Sequence, residues 1–135
     1  MMTRFGWMAK HTLFVKNRKR RRFMIWKFGE MVVDFARTIP RDSVTDRIIS
    51  QLVGAGTSVG ANYIEADDSV SKKDFLKCIG SCKKETRETK YFLSMAVRAV
   101  PKLKPEARKL WTEAKELHLI FAKIWRSGKQ QEPAK

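Results

Sequence analysis

An all-α fold, an antiparallel up-down-up-down four-helix bundle with a basic N-terminal arm, is what this 135-residue sequence predicts. Three observations lead there. Apolar residues recur at three- and four-residue steps from Phe23 nearly to the C-terminus, the period of an amphipathic helix. Seven glycines and four prolines are too few to punctuate an all-β chain, while 43% hydrophobic residues are enough to fill one core. Prolines and capping residues divide the periodic stretch into four lengths, and connections this short leave sequence neighbours antiparallel.

The first helix carries Phe28, Met31, Val32, Phe35, Ala36 and Ile39 at helical spacing, and Pro40 ends it. Ser43 with Asp46 three residues on reads as a capping box that opens the second helix, which runs to about Ala66 and buries Ile48, Leu52, Ala55, Val59 and Asn62 or Tyr63. Its middle carries Gly54, Gly56 and Gly60, each weakening the helix by about 0.5–1 kcal/mol relative to Ala, and close approach of a neighbouring helix is the simplest compensation. Ser71 and Asp74 repeat the capping pattern ahead of a third helix whose inward row is Phe75, Ile79, Cys82, Thr86, Phe92 or Leu93, Ala96 and Val100, stopped by Pro101. Pro105 suits the first turn of a fourth helix, with Leu110, Ala114, Leu117, Phe121 and Ile124 inward and Gly128 at its end. The domain expectation is therefore an arm over 1–22, a bundle over 23–127 and a tail over 128–135.

Charge is the second strong signal. The chain has 29 Lys and Arg against 14 Asp and Glu, a formal charge of +15. The first 22 residues hold eight basic groups and no acidic one, among them Lys16, Arg18, Lys19, Arg20, Arg21 and Arg22, and such a block of like charges reads as a solvated extension. On the third helix Lys72, Lys73, Lys77, Lys83, Lys84 and Arg87 form a further basic run. Both groups are candidate nucleic-acid contacts through the phosphate backbone. No helix-turn-helix or RNP motif points to base reading. Trp111 and Trp125, fourteen residues apart, share one face of the fourth helix; that face or the small-residue face of the second helix is the expected subunit interface.

Catalytic and metal chemistry finds little footing. No Glu-x-x-His pair for a di-metal carboxylate centre occurs, and His11 and His118 are far apart in sequence. Cys78 and Cys82 supply two soft ligands where a closed zinc site needs four, and at one helical turn's separation they do not readily form a disulfide, so reduced thiols are expected. Gly54, Gly56 and Gly60 lack the Lys-Ser/Thr of a phosphate-binding loop. The expectation is a non-enzyme without cofactor or metal, with no membrane span and a cytoplasmic address. Ser58, Asn62 and Glu65 lie at i, i+4 and i+7, and with Glu85 and Glu88 they are expected to form an inward polar network fixing helix register, the alternative being a ligand pocket.

The stretch from Gln51 to Leu93 closely resembles the S23, or 23S rRNA intervening-sequence, protein family. The matching elements are Gln51-Leu52, the run Gly56-Thr57-Ser58-Val59-Gly60-Ala61-Asn62-Tyr63, Glu65-Ala66, Ser71 with Asp74-Phe75, and Lys84-Glu85 followed by Glu88-Thr89. Ile64 stands where the family usually has Arg. The resemblance implies antiparallel bundles that assemble into homopentamers, and a related fold among accessory variability proteins of diversity-generating retroelements. It also tips the expected nucleic acid toward RNA rather than DNA. The resulting expectation is a basic homo-oligomer that binds RNA. The alternative is a scaffold docking a reverse transcriptase or ribosomal component, and a third reading has the arm, through Phe5, Trp7, Phe14 and its cations, on anionic lipid.

Overall fold

The computed structural model describes residues 17–130. Four helices follow one another: α1 (Arg18–Thr38), α2 (Ser43–Asp67), α3 (Lys72–Ala99) and α4 (Lys104–Gln130), with a short 3-10 turn, Pro101–Leu103, before α4. No strand occurs among the described residues. α2 packs on α1 and α3, α3 on α4, and α1 closes the ring against α4 through its narrowest interface. Contact pairs run in opposite directions along α1 and α2 and along α3 and α4: Arg18 at the start of α1 meets Asp67 at the end of α2. Likewise Gly128 near the end of α4 lies against Leu76 near the start of α3.

The core is one cluster, with Phe28, Val32, Leu52, Val59, Tyr63, Phe75, Ile79, Leu93, Leu117, Phe121 and Ile124 fully enclosed. On α2 the buried row is Leu52, Ala55, Gly56, Val59, Tyr63 and Ala66, so Tyr63 rather than Asn62 continues the inward stripe. Of the α2 glycines, Gly56 is the one pressed by its neighbour. A Cβ built there would fall 2.6 and 2.8 Å from the two Cγ atoms of Val32, whereas one at Gly54 would meet nothing within 4 Å.

Three boundaries differ from the sequence expectation, each for a local reason. The N-cap of α2 is Asp42, one residue early: its carboxylate accepts from the backbone N–H groups of Val44 and Thr45, and the Asp42 N–H donates to Thr45 Oγ1. Those two amide donors also hold the Asp42 carboxyl below its usual range. Ser71 does cap α3 as expected, accepting from Asp74 N at 3.1 Å. At the C-terminus Gly128 does not end α4. It is buried against Leu76, and the helix continues to Gln130.

The third difference concerns the arm. Residues 1–16, including Lys16, Phe5, Trp7, Phe14 and His11, lie outside the described residues, but Arg18 to Arg22 form the first turns of α1 rather than a solvated extension. Asn17 precedes them at φ 65°, a left-handed conformation that Asn adopts more readily than most residues. Asp67 compensates the charge run, taking Arg18 Nε at 2.8 Å and Arg22 Nη2 at 2.7 Å. Arg21 is buried, with its Nε donating to Tyr63 Oη at 3.0 Å and its guanidinium 6.0 Å from the Tyr63 ring centroid. Deleting residues 1–22 is therefore expected to destabilise the bundle, by about 1.5–3 kcal/mol through the Arg21–Tyr63 bond alone. Deleting 1–16 leaves these contacts in place. Thermal melts of the two truncations check this, and equal melting temperatures would refute it.

Candidate nucleic-acid interface

On α4, Lys104, Arg108, Trp111, Lys115, His118, Ala122, Trp125 and Lys129 alternate four- and three-residue steps, so they form one stripe along the helix. At 1.5 Å per residue the stripe is roughly 38 Å long. On α3, Gly80, Lys83, Arg87, Lys90, Ser94 and Val97 keep the same alternation and form the facing stripe. The two helices pack side by side and run in opposite directions, Lys83 meeting Trp125 and Lys90 meeting Trp111, which turns two helix faces into one basic, aromatic surface.

Side-chain contacts join the stripes. Lys83 Nζ lies 5.2 Å from the Trp125 ring centroid and Lys129 Nζ 5.4 Å from it. Lys90 Nζ lies 4.9 Å from the Trp111 centroid and Lys115 Nζ 5.9 Å. Each indole thus attracts one ammonium from α3 or its flank and one from α4 through the negative face of the ring. Gly80 lies opposite Trp125: a Cβ at 80 would sit 3.6 Å from the indole Nε1, an ordinary van der Waals contact. The stems of these lysines cover apolar surface beside the rings.

The other predicted cations are distributed differently. Lys72 lies three turns before Lys83, in register with the stripe. Lys73, Lys77 and Lys84 are exposed roughly a quarter to a third of a turn further round α3. Lys19 and Arg20 are exposed at the start of α1, while Arg18 and Arg22 hold Asp67 and Arg21 is inside. The helix-three run and the arm are therefore not one continuous patch, and the aromatic seam between α3 and α4 is where cations from two helices meet. The sequence shows both Trp residues on one face, and the heptad of basic residues around them was the available signal.

The expected inward polar network does not form. Asn62 is half-buried and its Nδ2 donates to Ser58 O within α2. Glu65 is exposed, because the inward row passes through Tyr63 and Ala66. Glu85 and Glu88 are half-buried neighbours on α3, where burial and then the Glu88 charge push the Glu85 carboxyl up. Among the described residues no hydrogen bond joins these five side chains across α2 and α3. Buried threonines instead return their hydroxyls to their own helix, Thr86 to Lys83 O and Thr89 to Glu85 O.

Both cysteines are free thiols. Cys82 is buried, with Sγ directed at Val59 O at 3.6 Å, and burial pushes its pKa far up, as it does more weakly for Cys78. No group of three or more His, Cys, Asp or Glu able to hold a metal ion occurs among the described residues, and none of the described helices is long and apolar enough to cross a membrane.

On the opposite side of the ring, α1 and α2 expose an apolar groove. Trp26 is 65% exposed there, and Ile64 stands beside the small residues Gly60 and Ala61.

A family model described as 23S rRNA-intervening sequence protein matches residues 25–123. A crystal structure of a protein of unknown function from the S23 ribosomal protein family of Bacteroides thetaiotaomicron is similar in fold. Its TM-score is 0.71 at 21% identity, covering 80% of this chain and 96% of that one. No curated protein matches the chain.

Proposed function

The chain belongs to the 23S rRNA-intervening sequence protein family, and from that premise we propose that it is a non-enzymatic, self-associating cytoplasmic protein that binds RNA through the basic seam between α3 and α4. The observation that carries this reading is the pairing of Lys83 and Lys90 on α3 with Trp125 and Trp111 on α4, which concentrates cations from two helices along one line. Such a line suits a polyanion and carries no donor pattern for reading bases, so recognition is of backbone and shape. The family's description supports RNA over DNA. Self-association uses the exposed apolar groove of α1 and α2, which leaves the basic seam facing outward; the homopentamer implied by the resemblance is the expected assembly.

The test is a fluorescence-anisotropy titration of labelled RNA with the full chain over a range of salt. Log affinity is expected to fall linearly with log salt, with a contribution of about 0.7 per phosphate neutralised on a single strand and about 0.9 on a duplex. The triple variant Lys83→Ser, Arg87→Ser, Lys90→Ser should flatten that slope by about 2–3. The same change at Lys73, Lys77 and Lys84 should flatten it less. Equal slopes for both triples would move the contact off the seam. A flat slope for the parent would favour a scaffold that docks a protein instead.

A further inference from the structure

α1 and α4 meet across the narrowest interface of the ring, and a groove of about 430 Å³ lies between them. Met24 on α1 and Leu119 and Ile120 on α4 supply its apolar wall, while Arg20, Glu116 and Lys123 stand among its charged lining. Leu119 is 58% exposed, whereas Met24 and Ile120 are partly buried against the core, so apolar surface continues from the bundle interior out along this seam. Asn17, the first described residue, lines the same groove. Its left-handed backbone, at φ 65°, does not extend a right-handed helix, so the chain leaves the α1 axis at the groove itself. Sixteen residues precede Asn17, and the nearest apolar ones, Leu13, Phe14 and Val15, all fall within four residues of it.

We propose that Leu13, Phe14 and Val15 of the same chain dock back into this groove and cover Met24, Leu119 and Ile120. The reach fits. From Asn17 to Met24 the groove follows α1 for about 10 Å at the helical rise, and the four residues from Leu13 to Lys16 span about 13 Å when extended. The chemistry fits as well, because three uncharged apolar side chains meet the apolar wall without setting a cation beside Arg20 and Lys123, as the rest of a basic arm would. Burying an aromatic ring such as that of Phe14 removes about 150–250 Å² from water. A second copy or a free peptide would compete poorly, since a short tether presents the segment at an effective concentration of the order of millimolar. The groove lies on the far flank of α4 from the aromatic seam, so this docking is independent of the RNA-binding reading.

The experiment is NMR on the full chain, with Leu and Ile methyls and Phe rings protonated in a deuterated background. Nuclear Overhauser contacts are expected from the Phe14 ring to the methyls of Leu119 and Ile120, with Phe14→Ser identifying the ring. Mixing molecules protonated only at the methyls with molecules protonated only at the rings should abolish them. Contacts that survive in the mixed sample would place the arm of a second copy in the groove and overturn the same-chain assignment; no contact in either sample overturns the docking altogether. Thermal melts give an independent check. The triple variant Leu13→Ser, Phe14→Ser, Val15→Ser should melt about 4 °C or more below the parent. Leu119→Gln should also lower the midpoint, and the two sets of changes combined should lose less than the sum of their separate losses. A triple variant that melts with the parent, or losses that add in full, would overturn the proposal.

Discussion

Gly56→Ala should cost about 1–3 kcal/mol of folding free energy, the range for forcing extra volume into a packed core. The sign is unusual, because Gly→Ala inside a helix ordinarily gains about 0.5–1 kcal/mol. The new methyl would meet both Cγ atoms of Val32, and the Val32 Cβ at 3.0 Å as well. A β-branched side chain has one strongly preferred rotamer in a helix, so turning Val32 does not clear the clash and α1 itself must shift. Gly54→Ala, in open space on the same helix, is the control and should be stabilising by the ordinary amount. Combining Gly56→Ala with Val32→Ala should recover part of the loss, giving a favourable coupling of about 1–2 kcal/mol in a double-mutant cycle. Urea denaturation of the four proteins decides it. A Gly56→Ala variant as stable as the parent would mean that α1 and α2 are not held at this distance.

Phe121→Ala is the second large effect, about 3–5 kcal/mol, since it empties a fully buried aromatic site in the middle of the bundle. Its ring centroid lies 6.3 Å from that of Tyr63, so the cavity would open beside the Arg21–Tyr63 contact that anchors the first turns of α1. Trp26→Ala removes an aromatic of greater volume yet should change monomer stability by no more than about 0.5 kcal/mol, because its side chain is mostly in solvent. On the proposed assembly its effect appears elsewhere, as weaker self-association in light scattering against protein concentration. A Trp26→Ala protein that associates like the parent would remove the α1–α2 groove from the interface.

The contrast between these two aromatics also shows what the sequence could and could not convey. Period alone places Phe121, Leu117 and Ile124 inside and separates four helices, because burial of one face imposes the 3.6-residue rhythm that the chain displays. Period is weaker on α2, where Asn62 and Tyr63 are adjacent and the Gly-rich middle leaves few large side chains to mark the face. Reading the row through Asn62 carried Glu65 inward with it; the structure turns both outward by one position. Charge runs mislead in another way. Six cations in seven residues look like an unpaired extension, but Asp67, forty-five residues beyond Arg22, supplies the carboxylate that lets Arg18 and Arg22 fold into a helix. Such a partner has no local signature. The seam between α3 and α4 was half legible: both Trp residues were visible on one face, but the α3 lysines over them depend on how the two helices pair.

The narrow contact between α1 and α4 has a consequence in time. α2, α3 and α4 are joined by the two most extensive interfaces, and α1 is attached chiefly along α2. A ring of four helices with one weak seam opens there first, so excursions that lift α1 require less free energy than global unfolding. Amide protons on α1 then exchange with solvent through these partial openings while those of α3 wait for the whole bundle to come apart. Asp67 and Val32 act on the frequency of these excursions, and the aromatic seam, sited between the two helices that part last, keeps its shape while they occur.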